Sequence, residues 1–133
     1  MPGTLTVMFN VRFSTEQTAD GIQAKIADVL TRHGLDYTLE WHASGHPFLT
    51  APGPLVSALT SAVREMSGVT PVLSTSGGTS DGRFLTRVAR EVVEFGPLNA
   101  SIHKIDEHVA LADIGPLSRI YERAVLNRLA GAY

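Results

Sequence analysis

An α/β fold is what this sequence predicts, and three observations carry it. Residues 4–13 alternate, with Leu5, Val7, Phe9, Val11 and Phe13 on one side and Thr4, Thr6, Met8, Asn10 and Arg12 on the other, the period of a half-buried strand. Ile22, Ile26, Val29 and Leu30 then recur at helical spacing, and residues 35–41 alternate again, which makes a strand–helix–strand unit. Beyond a cluster of helix-breaking residues, Pro47, Pro52, Gly53 and Pro54, the pattern runs helix, strand, helix, strand, helix, as in part of a layered α/β sheet. The cluster is read as a domain boundary, dividing residues 1–50 from residues 51–133.

Each element has its own start and stop signals. Ser14, Thr15 and Thr18 offer N-cap oxygens to the first helix and Gly34 ends it. Tyr37, Leu39 and Trp41 share one side of the second strand, opposite Thr38, Glu40 and His42. Two strands and one helix bury too little to stand alone, so the first unit is expected to lean on another chain or segment. In the second unit, Leu55, Leu59, Val63 and Met66 mark an amphipathic helix that stops near Gly68, and residues 71–73 form a short strand. A polar Gly-rich loop follows, then a helix over residues 80–90 with Phe84, Leu85 and Val88 inward, opened by Asp81 as a helix-start carboxylate. Arg83 is expected to pair with Asp81 or a neighbouring loop. Residues 92–95 read as a strand, and a last helix opens at Pro116 and packs Leu117, Ile120, Tyr121, Ala124 and the stem of Arg128.

Composition narrows the function. The chain has 133 residues, 44% of them hydrophobic, and a net charge of −2, with eleven Lys and Arg scattered rather than striped, so nucleic acid is not an expected partner. With no cysteine there can be no disulfide and no thiolate metal site, and any metal must be held by His and carboxylates. No apolar run approaches the roughly 20 residues of a membrane span, and no basic-then-apolar leader opens the chain. The expectation is a soluble cytoplasmic protein.

Two loops hold the candidate chemistry. The first, residues 74–79, offers hydroxyls and backbone N–H groups beside a helix start, where anions are favoured; the second, residues 96–103, offers the Asn99 amide and the His103 imidazole. Together they suit a carboxylate-bearing ligand and a metal. On residue type alone Arg12 reads as an exposed strand charge, Ser44 as a turn serine and Gly77-Gly78 as a flexible turn. His42 and His46 are four apart, but Gly45 and Pro47 argue against the helix that would make them a ligand pair. His108 has no spacing partner and is expected to face solvent or a strand neighbour.

The run SGGTSDGRF followed by EFGPLNASIHK, with FNVRFSTE and EWHASGHPFLT upstream, resembles the C-terminal third of the bacterial succinyl-diaminopimelate desuccinylase family, within the wider zinc aminoacylase and carboxypeptidase superfamily. The likeness covers nearly the whole chain. It implies the second half of an α+β lid, or dimerisation, domain over residues 1–50, joined to the C-terminal part of a three-layer α/β catalytic domain over residues 51–133. It implies that Arg12, Ser44, Gly78, Thr79 and Asn99 bind substrate, and that His103 is a ligand of one of two zinc ions. The implied activity is zinc-dependent hydrolysis of an N-succinyl amide, releasing succinate and LL-2,6-diaminopimelate for lysine synthesis.

The family's other zinc ligands and its glutamate base have no counterpart in this sequence, so the chain alone is expected to be inactive and to retain no zinc. Strand edges left without a neighbour are expected to drive homodimerisation or higher self-association. The alternatives are a non-enzymatic dimerisation or carboxylate-binding module and an acetylornithine deacetylase-type hydrolase.

Overall fold

In the computed structural model, residues 3–76, 78, 80–98 and 100–131 are described. The chain divides into two compact units, Met1–Leu49 and Thr50–Tyr133. Among the described residues there are four helices: α1 (Ala19–Arg32), α2 (Pro54–Ser67), α3 (Gly82–Leu85) and α4 (Leu111–Ala130). None is long and apolar enough to cross a membrane among the described residues.

The first unit holds α1 between two extended segments. Thr18 caps the helix, its hydroxyl accepting the Gly21 N–H at 3.0 Å, and Asp20 sits in the first turn where the helix dipole favours a negative charge. Arg32 occupies the last turn, and Gly34 at φ 64° supplies the left-handed turn that ends it. Ile22, Ile26 and Leu30 are half-buried, while no residue of α1 is fully buried. The alternating segments, residues 4–13 and 35–41, carry no assigned secondary structure, where the sequence reading expects two strands. The reason is pairing: among the described residues no backbone hydrogen bond pairs either segment with another segment of this kind, the Leu35 N–H bond to the Leu30 carbonyl belonging to the end of α1, and a strand exists only as part of a ladder. What links the two is side chains, since the Phe9 and Trp41 rings meet edge to face with centroids 6.0 Å apart. Tyr37 turns back onto α1, its hydroxyl donating to the Ala27 carbonyl and bonding the Thr31 hydroxyl, each at 3.2 Å.

The second unit is built on α2 against α4. Ala62 is completely buried, and Val63, Ile120 and Ala124 surround it with Leu59 and Phe95 packed alongside. Small residues at Ala58, Ala62 and Ala124 let two helix backbones approach closely, so the buried face of α2 runs through Val56, Ala58, Ala62 and Val63 rather than through Leu55 and Met66. Asn127 donates to the Ala58 carbonyl across the contact, and the exposed pair Arg123–Glu65 lies at its rim. Gly68, at φ 72°, closes α2 in the left-handed conformation that glycine adopts without steric cost.

Between these helices the expected strands and the longer helix are absent among the described residues. Residues 71–73 and 92–95 are not strands, since among the described residues no backbone–backbone hydrogen bond pairs them with another segment. Helix α3 is only four residues, and its continuation mixes i→i+3 bonds (Arg87 to Phe84, Val88 to Leu85) with one i→i+4 bond (Ala89 to Leu85), a tightened turn rather than a propagating helix. Phe84, Leu85 and Val88 are exposed rather than inward, so no apolar burial supports a longer helix. Asp81 takes the N-cap position without a side-chain bond, and it is Ser80 whose hydroxyl accepts the Gly82 N–H at 3.0 Å. Arg83 does not reach Asp81; it donates to the Ser80 carbonyl and stacks over the Phe84 ring, 4.5 Å from its centre. Helix α4 starts at Leu111, five residues before Pro116, which lies inside the helix and costs it a single bond near its frayed end.

The fully buried Ala62 makes the α2–α4 contact testable. Ala62→Leu should lower stability by about 1–3 kcal/mol through overpacking, whereas Ser61→Leu on the exposed neighbouring position should change it by less than about 0.5 kcal/mol. Urea titrations followed by far-UV circular dichroism measure both; equal midpoints would contradict this packing.

Candidate functional site

Loop geometry around α2 and α3 sets the platform of the second unit. Helix α2 begins with Gly53 and Pro54, neither of which has a capping oxygen, and its exposed N–H groups are served from a distance: the Glu91 carboxylate accepts the Leu55 N–H at 3.1 Å. The carboxylate comes so near that a side chain on Gly53 would collide with it. One residue on, Thr50 brackets the Val92 backbone, its hydroxyl donating to the carbonyl at 2.6 Å and accepting the N–H at 3.2 Å. These contacts fix the segment that leads to Phe95, where the Tyr121 hydroxyl donates to the Phe95 carbonyl and the two rings meet edge to face.

The candidate residues lie on the loops beyond this platform. Ser74 accepts the Ser76 N–H at 3.0 Å and bonds its hydroxyl at 2.7 Å, giving a serine-rich turn. Gly78 is exposed with open space where a Cβ would stand, so its backbone is approachable. Thr79 and Asn99 fall outside the described residues. His103 is exposed and has φ 59°, a left-handed backbone conformation uncommon for a residue with a side chain. His108 is exposed, with Nδ1 2.7 Å from the Asp106 carbonyl oxygen.

In the first unit, Arg12 is exposed on its extended segment and enters no ion pair or hydrogen bond among the described residues, leaving its guanidinium donors free. Ser44 is exposed in a stretch without regular secondary structure. His46 borders a shallow hollow of about 390 Å³ with Phe13, Thr18 and Asp20, and His42 is not part of it.

These positions do not form a metal centre by themselves. Among the described residues no group of three or more His, Asp or Glu side chains is arranged to hold an ion, and His103 stands alone. A zinc site needs at least three protein ligands, so the residues described do not fit a resident ion on this chain by itself. Three residues that organise the second unit were not singled out in the sequence: Thr50, Glu91 and Ser101. Their partners are 42, 36 and 7 residues away, and hydrogen bonds over such distances leave no periodic trace.

A sequence profile of peptidase family M20/M25/M40 matches residues 3–127. The chain belongs to this family. Over 129 residues, 97% of the chain, it is 60% identical to a succinyl-diaminopimelate desuccinylase of Thioalkalivibrio sulfidiphilus (strain HL-EbGR7). It is 59% identical over 131 residues to a protein of the same name from Alkalilimnicola ehrlichii (strain ATCC BAA-1101 / DSM 17681 / MLHE-1), and 56% identical over 131 residues to one from Albidiferax ferrireducens (strain ATCC BAA-621 / DSM 15236 / T118). The chain spans only about a third of the length of these relatives, 34–35%. The chain therefore corresponds to a part of the relatives' sequence.

Equilibrium dialysis of the purified chain against micromolar zinc should leave well under one ion per chain, and His103→Ala should not lower that figure further. Stoichiometric zinc measured by atomic absorption, lost on His103→Ala, would mean that other ligands of this chain converge on His103.

Proposed function

We propose that the chain is the C-terminal part of a zinc-dependent succinyl-diaminopimelate desuccinylase, an amide hydrolase that releases succinate and LL-2,6-diaminopimelate in lysine biosynthesis, acting in the cytoplasm. The observation that carries this reading is identity of 60% across 97% of the chain with a relative of that name. At that level the residues contacting substrate are expected to keep their roles. Residues 1–50 are read as the second half of the lid, residues 51–133 as the end of an α/β catalytic domain.

In this reading the free Arg12 guanidinium donates two parallel hydrogen bonds to a substrate carboxylate, a task that its planar fork performs and an ammonium does not. Ser44 donates a further hydrogen bond. Gly78 brings backbone N–H groups close to a carboxylate because it has no side chain, and Thr79 and Asn99 complete the polar surround. His103 supplies an imidazole nitrogen to one of two zinc ions, whose remaining ligands come from the rest of the enzyme. Zinc, when bound in the whole enzyme, lowers the pKa of a water and polarises the amide. The isolated chain, with one ligand, is proposed to be inactive.

Replacing the matching third of the Thioalkalivibrio sulfidiphilus relative by this chain tests the assignment. The chimera should hydrolyse N-succinyl-LL-2,6-diaminopimelate; Arg12→Lys should reduce kcat/KM by about 100-fold or more, on the scale of a lost bidentate charge-assisted contact of roughly 3 kcal/mol. His103→Ala should abolish activity and cost the chimera zinc. A folded, zinc-loaded chimera that prefers N-acetylornithine would assign the chain to a deacetylase instead.

We also propose that the chain self-associates as a homodimer or higher oligomer. What supports this is the first unit, where extended segments carry unpaired backbone groups and exposed apolar side chains, Leu5 at 84% and Met8 at 94% accessibility. Sedimentation velocity across micromolar concentrations should show a concentration-dependent rise in mass. Monomer at every concentration would refute it.

A further inference from the structure

Residues 101–108 form a compact loop whose two ends are tied by one side chain. The Ser101 hydroxyl donates to the His108 carbonyl at 2.6 Å and accepts the His108 N–H at 3.0 Å, so both backbone groups of one residue are satisfied by a single oxygen. Ser101 is the one polar residue among the described residues that is buried, at 8% exposure. Loops of this size with closed ends are the Ω class, held by their own side chains. Inside, the Lys104 N–H donates to the Ser101 carbonyl at 3.1 Å, which makes residues 101–104 a tight turn with His103 at its third position. That position demands a positive φ in a type II turn and is usually glycine. His103 occupies it at φ 59°, and Asp106 follows at φ 61°.

A histidine does not adopt this backbone conformation without compensation, since its Cβ crowds the following carbonyl. Something in the loop must over-determine it. The bonds available are few: the turn bond just named, the Lys104 ammonium on the Ala100 carbonyl, the His108 ring beside the Asp106 carbonyl, and the Ser101 clasp. The first three act within four residues, and the two made by side chains are exposed. The clasp is part-buried, and it alone of these bonds spans the whole loop.

We propose that Ser101 is a positioning residue for His103: its hydroxyl closes residues 101–108 and thereby holds His103 in the left-handed conformation that presents the imidazole outward. The functional weight of this clasp rests on the reading of His103 as a metal ligand, but the clasp itself does not. A ligand held in one conformation before metal arrives loses less freedom on binding than one on a free loop.

The test is nuclear magnetic resonance on the labelled full chain without metal, so that its result is independent of whether His103 binds zinc. Threonine and valine have the same shape and differ in the hydroxyl, which makes Ser101→Thr and Ser101→Val the informative pair. In the unaltered chain and in Ser101→Thr, His103 should give the strong intraresidue amide-to-Hα cross-peak of a positive φ, and the His108 amide should be protected from exchange. Ser101→Val should weaken the cross-peak and speed His108 exchange by tenfold or more while the amides of Val63 and Ala124 in the helix pair stay as they were. Valine behaving like threonine would overturn the proposal. So would a weak His103 cross-peak or an unprotected His108 amide in the unaltered chain, a result that stands even if Ser101→Val fails to fold.

Discussion

An extended backbone offers a hydrogen-bond donor and acceptor at nearly every residue, and the second unit's extended stretches meet that constraint with side-chain oxygens instead of a ladder. Thr50 serves the Val92 backbone, Ser101 serves His108, and Glu91 serves the start of α2. Each is a single oxygen standing where a neighbouring strand or a cap would otherwise be. The buried hydrophobic cluster among the described residues lies between α2 and α4, where the helices satisfy their own backbone.

What was legible in the sequence follows the same division. Thr18, Gly34, Pro54 and Gly68 mark the ends of α1 and α2 because capping is local chemistry, decided within a turn of the residue concerned. The face of α2 was legible only roughly, since periodicity weights large apolar residues and the tightest contact is made by Ala58 and Ala62, which are small. The alternation over residues 4–13 is real, but alternation says which side chains would share a side of a strand and nothing about whether a neighbouring strand exists. The helix over residues 80–90 failed for a related reason: Phe84, Leu85 and Val88 have helical spacing, yet nothing covers them, and propensity alone does not sustain a short helix.

The site divides differently. His103, Arg12 and Gly78 stand out in the sequence through family resemblance rather than through pattern, because a ligand or a carboxylate clamp is defined by groups far away in the chain. Residue type alone gave Arg12 as a solvated charge, and its exposure fits that reading as well as the functional one. The free guanidinium decides nothing until a carboxylate is offered to it. Ser101 was invisible altogether, since a serine before Ile-His carries no mark of burial, and its bond to His108 depends on a loop conformation that no propensity encodes.

That contrast explains how a chain with no sheet among its described residues can still hold shaped loops. A ladder bond requires a partner strand to be in place. A hydroxyl clasp requires only that two points seven residues apart meet, and one oxygen then satisfies both backbone groups of His108. The clasp across residues 101–108 is therefore a local device, made without any strand pairing among the described residues.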